Sequence, residues 1–177
     1  MRPSAAVAGA TFALLAAPAV AFDHTRAGDV LENALPAGAA AMELWRGDRD
    51  GALQLGGAFV VTLLATRVLK SEVHARRPDG SSSDAFPSGH AARAFSAATS
   101  MHRRHGWAEA WPWYAAAGYV GWTRVHADRH RWGDVAGSLL VAGAASWWLV
   151  EPAGGSDVAV RPSLAPDRVA IELQARW

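Results

Sequence analysis

Lys70-Ser71-Glu72-Val73-His74-Ala75-Arg76-Arg77-Pro78 closes an apolar run at residues 52–69, and its reading decides the fold. Taken as the end of a helix over 52–76, turning about 100° per residue, the segment sets Lys70 and Arg77 within ~20° of each other on one face. Two cations can then converge on one anion. Pro78 cannot continue a helix, and Asp79-Gly80-Ser81-Ser82-Ser83-Asp84 is turn and cap chemistry, so the chain reverses here. Asp84 reads as a cap or salt-bridge partner of that loop rather than as a catalytic group.

A short connection keeps the next segment, Pro87-Ser88-Gly89-His90, beside the first. Proline, serine and glycine start helices, and Gly89 lets backbone approach a ligand closely. Free amides at such a start, helped by the helix dipole, make an anion site. Further on, Thr123-Arg124 is followed by His130 and Asp134. A helix through the last two makes them neighbours on one face, so that the carboxylate holds one imidazole nitrogen and leaves the other free. That is a nucleophile or base with its orienting group.

In these residues the chain resembles the type 2 phosphatidic acid phosphatase family, whose signatures are Lys-x6-Arg-Pro, Pro-Ser-Gly-His and Ser-Arg-x5-His-x3-Asp. All three occur in order between residues 70 and 134, with Thr123 in place of the usual serine; threonine keeps the hydroxyl, so little loss is expected. The resemblance implies that His130 attacks phosphorus to give a phosphohistidine, that Asp134 orients it, and that His90 protonates the leaving oxygen. It further implies that Lys70, Arg77 and Arg124, with Ser88 and the Gly89 amide, hold the non-bridging oxygens.

Phosphoryl transfer asks mainly for positioning and for positive charge around the equatorial oxygens. Two arginines and a lysine supply that charge, the arginines as bidentate forks and Lys70 as a point charge. No metal and no other cofactor is expected: the chain has no cysteine, no carboxylates cluster near the motifs, and two histidines amid three cations make a poor cation site. His24, His74, His102 and His105 read as solvated or interfacial. His126, four residues before His130, could line the site, though structural filler is the plainer reading. Arg76, Arg129 and Arg131 read as a solvated rim able to attract an anionic substrate.

At 177 residues the chain is large enough for one domain with a real core, and at 51% hydrophobic it sits at the upper edge of globular composition. A net charge of +1 carries no nucleic-acid signal, and no nucleic-acid partner is expected. Arg2, an apolar run over 5–17 and Pro18-Ala19-Val20-Ala21 read as a secretory signal at 1–21 cut after Ala21, an uncleaved N-terminal membrane helix being the alternative. Either way the catalytic part is exported, to a periplasmic location.

The expected fold is all-α. About five helices, at 28–44, 52–76, 90–104, 110–125 and 133–150, form a compact bundle over 22–152 with the active site at one end. Runs at 52–69, 111–122 and 135–150 are apolar enough for membrane contact but shorter than the ~20 residues of a full span. Asp29, Glu32 and Glu43 in the first helix and Arg93 in the third argue against lipid exposure of those two. Tryptophans at 107, 111, 113, 147 and 148 resemble interface belts, and Gly137, Ala144 and Ser146 permit close helix packing. Soluble helical cores use the same residues; the resemblance tips the reading toward membrane association. In the tail, 153–177, residues alternate from Val169 to Trp177, which predicts a strand with Val158 and Val160 as its hairpin partner.

The resulting expectation is an exported, helical phosphatase acting without metal on a phosphate monoester or pyrophosphate, most plausibly of a lipid. Three rivals share its residues. A soluble periplasmic acid phosphatase on small phosphomonoesters needs the same motifs; a vanadate-dependent haloperoxidase uses nearly the same cradle; a non-enzymatic phosphate-lipid binder would need only the cations. Head group, chain and oligomeric state are not encoded in the motifs.

Overall fold

The computed structural model describes residues 22–154, 158–165 and 168–175. The expected signal segment, 1–21, lies outside the described residues, as does the end of the predicted tail strand, 176–177. Five helices follow in order: α1 (His24–Trp45), α2 (Arg49–Glu72), α3 (Gly89–His105), α4 (Trp107–His126) and α5 (Trp132–Leu149). A β-hairpin of β1 (Val158–Ala165) and β2 (Arg168–Ala175) closes the described chain, with Val158 opposite Ala175 and Val160 opposite Leu173 in antiparallel register.

Side-chain caps start three of the helices. Asp23 accepts the Arg26 amide at 3.0 Å and Asp48 the Gly51 amide at 2.9 Å, while Ser88 faces the Ala91 amide at 3.5 Å. The other bounds fall within a few residues of those read from periodicity, with one correction. The helix expected to run to 76 stops at Glu72, because Val73 turns extended (φ −99°, ψ 98°). Beyond it the backbone finds other partners: the Ala85 amide donates to Ala75 at 2.9 Å and the Arg77 amide to Ser82 at 3.0 Å. Lys70 and Arg77 therefore do not share a helical face.

Helix α3 is the centre of the bundle and touches each of the other four. Its buried positions are nearly all small: Ala91, Ala92, Ala94, Ser96, Ala97, Ala98, Thr99 and Ser100. Short side chains let four helices approach one axis, and the hydroxyls bond across the gap. Thr99 Oγ1 lies 2.7 Å and Ser100 Oγ 3.1 Å from Ser146 Oγ on α5.

The charges that weighed against α1 and α3 as apolar helices are paired with each other. Glu32 on α1 accepts from Arg93 on α3 at 3.0 Å. Near the opposite end Glu43, 1% exposed, lies 2.7 Å from His105 Nε2 and 3.8 Å from Arg104, which also binds Asp48. Of the histidines read as solvated or interfacial, His74 is exposed, whereas His102 meets the Tyr114 hydroxyl at 3.1 Å and His24 the Tyr119 hydroxyl at 2.8 Å.

Removing one member of a buried ion pair strands its partner's charge and costs about 3–5 kcal/mol. Glu43→Ala is therefore expected to lower unfolding free energy by about 3 kcal/mol in chemical denaturation followed by tryptophan fluorescence. A loss under about 1 kcal/mol would show that the Glu43 cluster is not a buried charge pair in solution.

Candidate active site

All eight candidate residues lie at one end of the bundle, where α1, α3 and α5 begin and α2 and α4 finish. Lys70 occupies the last turn of α2, and Arg77 lies in the extended segment after it. Asp84 brings the two cations together. Its carboxylate accepts from Arg77 Nε at 3.0 Å and lies 3.8 Å from Lys70 Nζ, while its carbonyl also accepts from Lys70. The Ser82 hydroxyl, together with the Arg77 and Lys70 charges, holds Asp84 down at about 2, so it is ionised at any working pH.

Ser88 is fully buried as the N-cap of α3, and Gly89 and His90 open that helix. A side chain at position 89 would point toward Lys70, meeting its Cε at 3.9 Å, so the glycine keeps backbone and lysine on one open surface. The start of α3 is tied to the start of α5. The Ser88 amide donates to Asp134 O at 3.1 Å, and the Ser138 hydroxyl lies 2.8 Å from both Ser88 O and Asp134 O.

His130 is 3% exposed and sits before α5, not within it. The expectation that one helix carries both His130 and Asp134 is thus corrected, and so is the orienting bond. His130 Nδ1 lies 2.8 Å from Ala85 O, whereas Asp134 Oδ2 is 3.6 Å away and accepts the Arg131 amide at 2.8 Å. A carbonyl only accepts, so Nδ1 carries the proton and Nε2 keeps its lone pair. Burial, then the Lys70 and Arg77 charges, push His130 down to about 4; the Asp134 charge opposes this weakly. The ring is a neutral nucleophile or base with a fixed tautomer.

Arg124, 5% exposed at the end of α4, points toward α1 rather than toward Lys70 and Arg77. Its Nη1 donates to Asp29 Oδ1 at 2.8 Å, Nη2 to Thr25 O at 2.7 Å and Nε to Thr123 Oγ1 at 3.1 Å. His90 shares that partner: its Nε2 is 3.3 Å from the same Asp29 oxygen and 3.5 Å from Glu32 Oε2. This close approach of α1 requires Gly28, since a Cβ there would collide with the Thr123 hydroxyl and stand 2.8 Å from Arg124 Nη2.

Sequence reasoning missed Asp29 and Glu32 as site residues. The signal was present, two carboxylates three apart in an alanine-rich helix, but it was counted only against lipid exposure. It also left Asp84 at the margin and gave Asp134 the bond that Ala85 makes. His126 stays outside this network, exposed and stacked on Trp122 at 4.9 Å. Arg129 pairs with Asp79 at 3.3 Å, and Arg131 donates to Arg76 O at 2.7 Å, as a rim does.

The bundle thus gathers half-buried Lys70 and Arg77, buried Arg124, a helix N-terminus and a neutral histidine at one end, an arrangement suited to an anion. The chain belongs to the PAP2 superfamily, whose model matches residues 51–152. It is also similar to a protein of Porphyromonas gingivalis named lipid A 1-phosphatase, with 37% identity over 81 residues. That alignment covers 41% of this chain and 18% of the relative, so the chain spans under a fifth of the relative's length. No solved structure matches significantly.

Thr123 Oγ1 donates to Val120 O at 2.7 Å and accepts from Arg124, so the hydroxyl, not the methyl, fixes the guanidinium. Thr123→Ser should keep phosphate-ester turnover within about 2-fold, whereas Thr123→Val, leaving a buried donor unpaired at a cost of about 1–3 kcal/mol, should lower kcat/KM about 10-fold or more. Equal activity of the two variants would remove Thr123 from the positioning of Arg124.

Proposed function

We propose that the protein is a phosphatase acting on a lipid-borne phosphate monoester or pyrophosphate through a phosphohistidine at His130. The observation that carries this reading is the His130 Nδ1 bond to Ala85 O, which leaves a neutral Nε2 beside two cations. Membership of the PAP2 superfamily and the likeness to a lipid A 1-phosphatase support it.

In the proposed reaction His130 Nε2 attacks phosphorus, and the bond from phosphorus to the leaving oxygen breaks as His90 gives that oxygen a proton. Water then attacks the phosphohistidine, returns a proton to His90 and frees Nε2 and inorganic phosphate. Lys70, Arg77 and Arg124, with the Ser88 hydroxyl and the Gly89 amide, neutralise the equatorial oxygens. Asp134 stabilises the charged ring during attack. A site built from side-chain cations needs no metal for that charge.

The surface favours lipid over small soluble esters. Leu53, Val60, Leu64 and Val68 form an exposed apolar stripe along α2, which among the described residues is the one helix long and apolar enough to cross a membrane. Trp45, Trp107, Trp111, Trp147 and Trp148 are all more than half exposed and lie at the ends of α1, α4 and α5 remote from His90 and His130, where an interface belt would place them. We infer membrane association of an exported protein, with the site at the periplasmic face and the catalytic domain over 22–152.

The test is phosphate release by the purified protein from a panel of phosphatidate, phosphatidylglycerol phosphate, polyprenyl pyrophosphate and lipid A, beside a soluble phosphomonoester. His130→Ala is expected to lose ~10³-fold or more and to trap no acid-labile phosphoenzyme, chelators to leave activity intact, and vanadate to inhibit. Near-normal turnover by His130→Ala, or loss in chelator restored by a divalent ion, would overturn the mechanism. Preference for the soluble ester would overturn the lipid reading.

The proton inventory gives a pH profile. His130 must be neutral, which holds above about 4, whereas His90 must be protonated, and burial pushes its pKa below the ordinary 6.5. The kcat/KM profile should therefore be a bell with its maximum below pH 6.5. A maximum above pH 7.5 would contradict the assignment of the two rings.

A further inference from the structure

Four charged groups surround His90, and two of them come from a helix that precedes the stretch matched to the PAP2 superfamily. From α1 come Asp29, 3.3 Å from Nε2, and Glu32, at 3.5 Å. Arg93 lies one turn on along α3, and Arg124 reaches across from α4. Lys70 of α2 stands beyond Gly89. Each carboxylate is shared: Asp29 Oδ1 also takes Arg124 Nη1 at 2.8 Å, and Glu32 Oε2 also takes Arg93 Nη1 at 3.0 Å. The same α1 turn therefore contacts the histidine and its nearest competing cation.

We propose that Asp29, together with Glu32, is a positioning residue that favours the protonated form of His90 for transfer to the leaving oxygen while compensating the charge of Arg124 beside it. The inference rests on the reading of His90 as the general acid. The physical argument is electrostatic competition at a half-buried ring. Burial and the Arg124 and Arg93 charges all disfavour the imidazolium; Glu32, and after it Asp29, oppose them. Without Asp29 the guanidinium of Arg124, still held by Thr25 O and the Thr123 hydroxyl, would lose its 2.8 Å carboxylate, and its charge would act on the ring uncompensated. Glu32 is nearly buried and paired with Arg93, whereas the Asp29 side chain is 49% exposed. Asp29 can thus be changed with little penalty to folding, which makes it the informative position.

This role separates from a purely structural one by its signature. Neutralising Asp29 lowers the affinity of His90 for its proton, so the alkaline limb of kcat/KM moves to lower pH. It does so for substrates that need a protonated leaving group, whereas an activated aryl ester scarcely depends on that proton. A structural lesion instead scales all rates at all pH values.

The experiment compares wild type, Asp29→Asn and Asp29→Glu on a short-chain phosphatidate in detergent and on p-nitrophenyl phosphate, across pH 4 to 9, with phosphoenzyme trapping alongside. For Asp29→Asn the alkaline limb on phosphatidate should fall by about half a pH unit or more, with phosphatidate turnover at pH 7 down several-fold and aryl turnover within about 2-fold. Asp29→Glu should recover most of the limb. An unmoved limb in Asp29→Asn, or a uniform loss on both substrates at every pH, overturns the inference while leaving the phosphohistidine reading intact if wild type still traps phosphoenzyme. Absence of that intermediate in wild type sinks the underlying mechanism instead, so the two failures are distinguishable.

Discussion

The Ser88 amide donates to the carbonyl of Asp134 at 3.1 Å, and on this bond the geometry of the site depends. It joins the first residues of α3 to those of α5, elements about 45 positions apart in the chain. Ser138 reinforces the junction from the next turn of α5. Once the two helix starts are fixed together, Ala85 lies where its carbonyl meets His130 Nδ1, and His90 follows at the second position of α3. The tautomer of one histidine and the placement of the other thus descend from a backbone contact. Side chains large enough to push the helices apart would break it, which accounts for the small residues along α3 and for Gly137, where a Cβ would collide with the Phe86 ring.

The whole bundle is organised by moving charges inside in pairs. An isolated buried ion is costly, and here carboxylates of α1 meet basic side chains of α3 and α4 at both ends: Glu32 with Arg93, Asp29 with Arg124, Glu43 with His105. Helix α1 therefore buries Glu32 and Glu43 beside Leu35 and Ala39 of the core, while Val30 and Leu44 are exposed.

This pairing across helices sets what was legible in the sequence. The five helices could be read because alanine-rich runs broken by Gly47, Pro78, Gly106 and the 127–131 segment are local signals. The eight candidate residues stood out because three motifs hold fixed spacing. Periodicity failed at both places where it was asked to supply geometry. It carried the helix through Arg77, where extended backbone pairs with residues 82 and 85, and it put His130 on the helix with Asp134. In each case a long-range backbone partner, Ala75 to Ala85 or Ala85 to His130, prevailed over local helix propensity. Such partners leave no periodic trace. Asp29 and Glu32 were visible as charges, but their place at the site was not, since pairing across helices depends on which faces meet.

The carboxylates that occupy the cations also bear on how an anion enters. Guanidinium and ammonium groups drawn partly or wholly out of water are stabilised by a counter-charge. Asp84 supplies it to Lys70 and Arg77, and Asp29 to Arg124. An incoming phosphate is dianionic and offers three acceptor oxygens in a tetrahedral spread, against two in the plane of a carboxylate. It can therefore bridge cations that face different carboxylates, which neither Asp84 nor Asp29 can do alone. Because Asp84 stays ionised down to a pH of about 2, this exchange is a substitution of one anion for another rather than the filling of a bare cationic hole. A site arranged in this way is stable when empty and gains most from a ligand with the shape of a phosphoryl group.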